Sequence, residues 1–272
     1  MSPNYGMIIK FRCDPALIDV LPRPQPAREA LPVWLRKMPA TAASPTHGVS
    51  VRTVKQCPPF VDAMQFGFVI PLPCDVQVDN ETLTWDWALP VLSVDGHTRS
   101  PISFHVPAQL TGSPMHEPLR AVLKFNCFWT ITLDSGWSLY ATHPVNRLDL
   151  PFRTLTGLVD SDAYNETGIF FPAMWVDPAF SGTIPQGTPV AQCFPVRRQA
   201  LELDFQGFTG DEAARYTAIG KSIQAEPGLY RKQHRARLRS GAGEPLAEPF
   251  DIEQEHTGAP SSEGLGDGTE RV

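Results

Sequence analysis

The chain is expected to be mainly β with a few peripheral helices, and three observations point there. It carries 28 prolines against 20 glycines, a density that interrupts helices and suits folds with many turns. Its apolar residues fall in short runs, such as Phe66-Gly67-Phe68-Val69-Ile70 and Val190-Ala191-Gln192-Cys193-Phe194, rather than in long helical stripes. Turn-forming clusters, among them Cys57-Pro58-Pro59 and Asp134-Ser135-Gly136, separate those runs.

In order along the chain, Met7-Ile8-Ile9 begins a short strand, and Pro22-Arg23-Pro24-Gln25-Pro26 then excludes a helix interior. Glu29 to Lys37, with Leu31, Trp34 and Leu35 on one side, allows a turn or two of helix closed by Pro39. Residues 1–50 thus read as an N-terminal arm with a short helix, ending in a loop of small and polar residues from Ala40 to Ser50. The β-rich core is expected over 51–200. It opens with strand, turn and strand from Val51 to Val78, followed by the alternating strand Thr82 to Trp87 and a turn at Asp95-Gly96. Ala121 to Phe125, Phe128 to Leu133 and Trp137 to Ala141 are further strands, with Asp134-Ser135-Gly136 reading as a hairpin turn. Over 201–240 a helical extension is expected. Thr209 followed by Glu212 has the capping-box spacing, and the helix should run to about Gln224 before Pro227. Tyr230 to Arg239 is basic, and the glycine-, proline- and glutamate-rich stretch 241–272 is expected to be disordered.

A length of 272 residues suffices to bury a core without staples. The formal charge of -6, from 29 acidic and 23 basic side chains, gives no general electrostatic reason to approach nucleic acid or an anionic membrane. No run approaches the roughly 20 apolar residues of a spanning helix. Five scattered cysteines without a CxxC pair are expected to be reduced thiols, which fits a cytoplasmic protein.

Chemistry is expected between Thr154 and Arg198. There Leu158-Val159 leads into Asp160 and Asp162, carboxylates presented at the tip of a strand. Gln192 interrupts an apolar strand, so its amide needs a partner or a ligand. Gly157-Leu158-Val159-Asp160-Ser161-Asp162 with Tyr164 resembles the Gly-Val-Ile-Asp-x-Asp-Tyr segment of trimeric dUTP pyrophosphatases. Gly187-Thr188-Pro189-Val190-Ala191-Gln192 is similar to their later Gly-Asp-Arg-Ile-Ala-Gln segment. The span from Pro32 to Arg198 also resembles a wider family of phage and bacterial proteins.

The resemblance implies a β-clip or distorted barrel of the dUTP pyrophosphatase-like type, assembled as a homotrimer and acting on a nucleotide or another small polar metabolite. It further implies that Asp160 deprotonates an attacking water, with Asp162 beside it. Tyr164 would lie under a sugar, Gln192 would bond to phosphate or metal-bound water, and Mg²⁺ would bridge the phosphates. Where the family has a Pro-Arg-Ser-Gly helix start, this chain has Thr142-His143-Pro144-Val145-Asn146-Arg147, so Arg147 is the substitute anion contact. The segment Glu263 to Thr269 is loosely similar to the family's glycine-rich C-terminal segment, with Leu265 in place of its stacking phenylalanine.

Two other readings stand beside that one. A non-haem iron or zinc enzyme would draw on His105, His116 and His143, assembled from distant strands because no two histidines share a metal-ligand spacing. A non-catalytic, phage-related binding or assembly protein would instead use the β-fold to associate and its basic segment or tail to engage a partner.

Overall fold

A computed structural model describes residues 7–94, 98–117, 122–226 and 228–235, and it is mainly β. The predicted turn at Asp95-Gly96, the end of the basic stretch and everything from 236 onward, Glu263 to Thr269 included, lie outside the described residues. In chain order the N-terminal arm holds β1 (Lys10–Arg12), β2 (Gln25–Pro26) and α1 (Val33–Lys37). The expected helix from Glu29 is broken: a 3-10 turn at Ala27–Ala30 stops before Pro32, which caps α1. The Ala40–Ser50 stretch, expected as a loop, is instead part of an exposed antiparallel hairpin of β3 (Thr41–Ser44) and β4 (Val49–Arg52). Its small side chains bury little, which hides such a strand from apolar patterning. The bend expected at Cys57-Pro58-Pro59 opens a helix, α2 (Pro58–Gln65), because prolines in a first turn lose no hydrogen bond.

The remaining strands are β5 (Phe68–Pro71), β6 (Val76–Asp79), β7 (Thr82–Thr84), β8 (Ile102–His105), β9 (Val122–Asn126), β10 (Thr130–Thr132), β11 (Trp137–Thr142) and β12 (Phe152–Thr154). They are followed by β13 (Gly157–Val159), β14 (Phe170–Trp175), β15 (Gly182–Ile184), β16 (Pro189–Arg197) and the helix α3 (Gly210–Ala225). One sheet has the order β13-β11-β16-β5-β2 and a second β12-β14-β9-β8; β15-β6-β7, β1-β10 and β3-β4 form smaller ones. Among the described residues no sheet closes into a barrel.

The two large sheets share one core. Phe68, Ile70, Leu139, Ala141 and Cys193 come from the first and Ile102, Leu123, Phe125, Phe152 and Phe171 from the second, with the rings of Phe125 and Phe152 4.7 Å apart. Prolines inside strands sit where a neighbour has ended. Pro172 lies beyond the last residue paired with β12, and Pro195 beyond the last paired with β5. The Asp134-Ser135-Gly136 turn forms, with the Trp137 N–H donating to the Asp134 carbonyl, but it joins strands of different sheets: β10 pairs with β1, and β11 with β13 and β16. A turn signal specifies a reversal of the chain; the partner is chosen by burial.

On its outer face the first sheet is covered at one end by α1 and α2, through a small cluster of Leu31, Leu35 and Met64 with Trp34, Phe60 and Val145 around it. α2 reaches that face through a tight corner at Gly67, whose φ is +74° and whose added Cβ would stand 2.2 Å from the Cys193 carbonyl oxygen. Gly67→Ala should therefore cost about 3 kcal/mol or more, since it combines a left-handed conformation with a clash against a fixed strand backbone. Urea unfolding of the purified variant measures it.

Candidate functional site

Apart from His105 and His116, the sequence-predicted site residues fall into two groups at opposite ends of one strand pair. In the β11–β16 register Ser138 faces Val196 and Thr142 faces Gln192. These positions are four residues apart, about 13 Å along a strand. Asp160 belongs to the first end and Gln192 to the second.

At the first end β13 stops at Val159, and the chain turns so that the N–H groups of Ala163 and Tyr164 donate to the Asp160 carbonyl. Asp160 Oδ1 accepts from Ser138 Oγ at 2.6 Å and from Arg198 Nη1 at 3.1 Å. Arg198 also donates to Asp162, through Nη1 at 2.8 Å and through Nη2, while Asp162 Oδ2 takes the Gly136 N–H at 2.8 Å. The guanidinium thus bridges both carboxylates and also bonds the Trp137 carbonyl and Ser138 Oγ. Those Arg198 bonds, then the Gly136 amide, hold the Asp162 carboxyl down at about 2. Tyr164 stands exposed on the same turn.

At the second end Gln192 is buried, and its amide is fully used within the chain. Oε1 accepts the Val145 N–H at 2.9 Å, and Nε2 donates to the carbonyls of Ala63 at 3.0 Å and Phe66 at 2.7 Å. The amide therefore splices α2 and the 143–147 turn onto β16. Arg147 makes a forked pair with Asp149 at 2.9 Å on each arm, and Asp149 also accepts from Trp34 Nε1. His143 is buried: its Nδ1 accepts the Thr154 N–H at 3.2 Å, which leaves Nε2–H to donate to the Arg147 carbonyl at 2.8 Å. Burial pushes this imidazole below its ordinary value and keeps it neutral.

The histidines do not converge. His143 bonds to β12 and His105 lies on β8, the opposite edges of a four-stranded sheet. Those edges are about 14 Å apart. His105 Nδ1 bonds instead to Gln109 Oε1 at 2.9 Å, and His116 follows in the next turn. Among the described residues no group of three or more His, Cys, Asp or Glu side chains could hold a metal ion. The cysteines are free thiols, and burial raises Cys127 to about 12 and Cys193 well up, which favours their protonated forms. Among the described residues no helix is long and apolar enough to cross a membrane.

No protein-family model matches the chain, and no curated protein matches it either.

Sequence reasoning missed Ser138, Asp149 and above all Arg198. The available signal for the last was Arg197-Arg198 closing a strand, but the strand that leads into Asp160 is two places away in the sheet, the pairing spans 38 positions, and only the sheet register reveals it. Sequence reasoning also passed over Asp14, a buried carboxylate that accepts from the Ser93 N–H and Oγ, each at 2.7 Å, and fastens the N-terminal arm.

Gln192→Leu should lower stability by about 3 kcal/mol, because one N–H and two carbonyls lose a buried partner. A chemical-denaturation midpoint decides between that and a surface role, for which the midpoint would stay put. For Asp162 the folded carboxyl sits below the ordinary 3.8, so its contribution is complete above that value and disappears as pH falls through about 2. Stability should therefore fall between pH 4 and 2 in the wild type and fall less steeply in Asp162→Asn, read from urea midpoints across that range.

Proposed function

We propose that this chain is a non-catalytic binding or assembly protein of the β-clip type, whose β-sheet body associates with further copies of itself through residues 199–226. One observation carries the reading. That segment is exposed throughout, yet it is tied to the body at both ends: Arg198 is clamped by Asp160 and Asp162, while beyond α3 Leu229 is buried and Arg235 pairs with Asp62. Between the ties Leu201, Leu203, Phe205, Phe208, Tyr216, Ile219 and Ile223 all face solvent, Leu201 and Phe205 at 82% and 86% of their surface. Isolated apolar side chains are ordinary on a surface, but seven large ones on one tethered arm mark a contact.

The arm carries two kinds of apolar surface. Leu201, Leu203 and Phe205 alternate with Glu202 and Asp204 along a stretch outside every described sheet. Beyond it Tyr216, Ile219 and Ile223 share one side of α3, whose start is secured by the Thr209–Glu212 capping box. The resemblance of the Asp160 and Gln192 segments to the dUTP pyrophosphatase motifs supports the β-clip type and a ring of three. It does not extend to the chemistry, because the side chains that would contact nucleotide are used within the chain: Gln192 by three backbone partners, Arg147 by Asp149 and Asp162 by Arg198.

Sedimentation velocity of the full chain at micromolar concentration tests the proposal. The expected species is a multiple of 30.0 kDa, shifted to the single-chain mass by Leu203→Glu combined with Phe205→Glu. A single-chain mass for the wild type overturns it. Thermal shifts against nucleotides with Mg²⁺ should be flat; a nucleotide-specific rise that Asp160→Asn abolishes favours the hydrolase instead.

A further inference from the structure

The assembly reading leaves open what the arm binds, and the same chain carries a surface of the matching kind. Across the outer face of the five-stranded sheet run Leu158 on β13, Tyr140 on β11 and Phe194 on β16, aligned by register, with Phe66 beside them. Phe194 stacks on Phe66 at 5.6 Å and lies 6.2 Å from Tyr140. The row is open to solvent, with Leu158 at 61% and Phe66 at 58% exposure. Phe66 also lines an apolar groove of about 370 Å³ with Met7, Ile9, Phe11, Phe68 and Pro195. Row and groove meet at Phe66: the row runs over the outer face, and the groove opens at the edge of the core side, where Phe68 and Pro195 lie. The row lies between the Gln192 end, covered by α1 and α2, and the Asp160–Arg198 cluster.

We infer that this surface is the receptor for the 199–226 arm of a second copy, an inference that rests on the assembly reading above. Three features select that occupant. The arm's exposed large apolar residues amount to roughly 850–950 Å², at about 180–200 Å² for each residue fully exposed, which is comparable to the share one partner contributes to a standard stable interface. The arm is acidic between its apolar positions, at Glu202 and Asp204, while Lys10 sits between Ile9 and Phe11, and Arg23 precedes Pro24, in the segments that line the groove. Arm and receptor also meet on β16, where Pro195 belongs to the groove and Arg198 to the arm's root. An arm leaving one copy thus starts beside the groove of its own chain, and adjacent copies can exchange arms over a short distance. The contact is heterologous, an arm on a sheet face, so each copy offers one of each, and the angle of the contact decides between a reciprocal pair, a closed ring and an open chain.

The test uses two variants of the full chain. The receptor variant carries Phe66→Glu and Tyr140→Glu, both at exposed positions, and the arm variant carries Leu203→Glu and Phe205→Glu; thermal unfolding checks that each remains folded. Each alone should sediment as a single chain. Mixed in equal amounts they should form a one-to-one complex, because the receptor variant keeps an intact arm and the arm variant an intact receptor. A receptor variant that assembles like the wild type overturns the receptor assignment while leaving self-assembly standing, and is the result expected if arms pair with arms. A wild type that sediments as one chain overturns both. If the wild type and the receptor variant both sediment as one chain and differ only in shape, the arm folds onto its own sheet, which also overturns the inference.

Discussion

The Arg198 guanidinium, bound between Asp160 and Asp162, is the contact on which the exposed arm depends. It sits where β16 leaves the sheet, and its bonds to the Trp137 carbonyl and Ser138 tie it to the start of β11. A surface ion pair is normally worth little, because water screens it and two long side chains lose freedom. Here the cost is reduced in advance. Asp162 is already held by the Gly136 amide, Asp160 by Ser138, and the loop that carries both is tied by Asn165, whose amide donates to the Ser161 and Asp162 carbonyls. The cation therefore meets two anchored carboxylates and fixes the direction in which the chain leaves the body.

That contact also changes the chemical meaning of an Asp-x-Asp at a strand tip. A carboxylate acting as a base toward water needs free lone pairs facing a cavity that holds the water. Asp160 Oδ1 already accepts two hydrogen bonds, and Asp162 is neutralised by an arginine and an amide. Gln192 is a parallel case at the other end of the sheet. A buried amide in an apolar strand stabilises only when its donors and acceptor are all met, and here they meet α2 and the turn after β11. The same polar residue types that serve an active site serve equally to splice elements together, and only geometry separates the two uses.

Much of the β character was legible because it is local. Proline density, short apolar runs and the Thr209–Glu212 capping box each act over a few residues, and each has its counterpart in the structure. That Gln192 required a partner was legible for the same reason, since burial of an amide has one consequence. What the sequence did not display was register. Nothing between Asp134 and Gly136 reveals that β10 and β11 join different sheets, and nothing near Asp160 reveals that Gln192 faces Thr142 rather than Ser138. Those facts depend on which side chains fill the core between the two large sheets, a property of the whole chain. Arg198 escaped for the same reason, and of the hairpin at Thr41–Arg52 only the end from Val51 was legible, because the small residues of its first strand bury little.

The arm poses a problem of entropy that the clamp helps to solve. A stretch such as Leu201-Glu202-Leu203-Asp204-Phe205 has the alternation of a half-covered strand, and ordering it on a partner costs roughly 1–2 kcal/mol for each residue whose backbone is fixed. A free tail would meet that cost entirely on association. A segment held at Arg198 on one side and at Leu229 and Arg235 on the other, with a capped helix between, has fewer conformations to lose. Preorganisation of this kind raises affinity without adding a contact. In the proposed assembly the two aspartates that resemble catalytic residues therefore act at a distance, by limiting where the arm can go before it meets another copy.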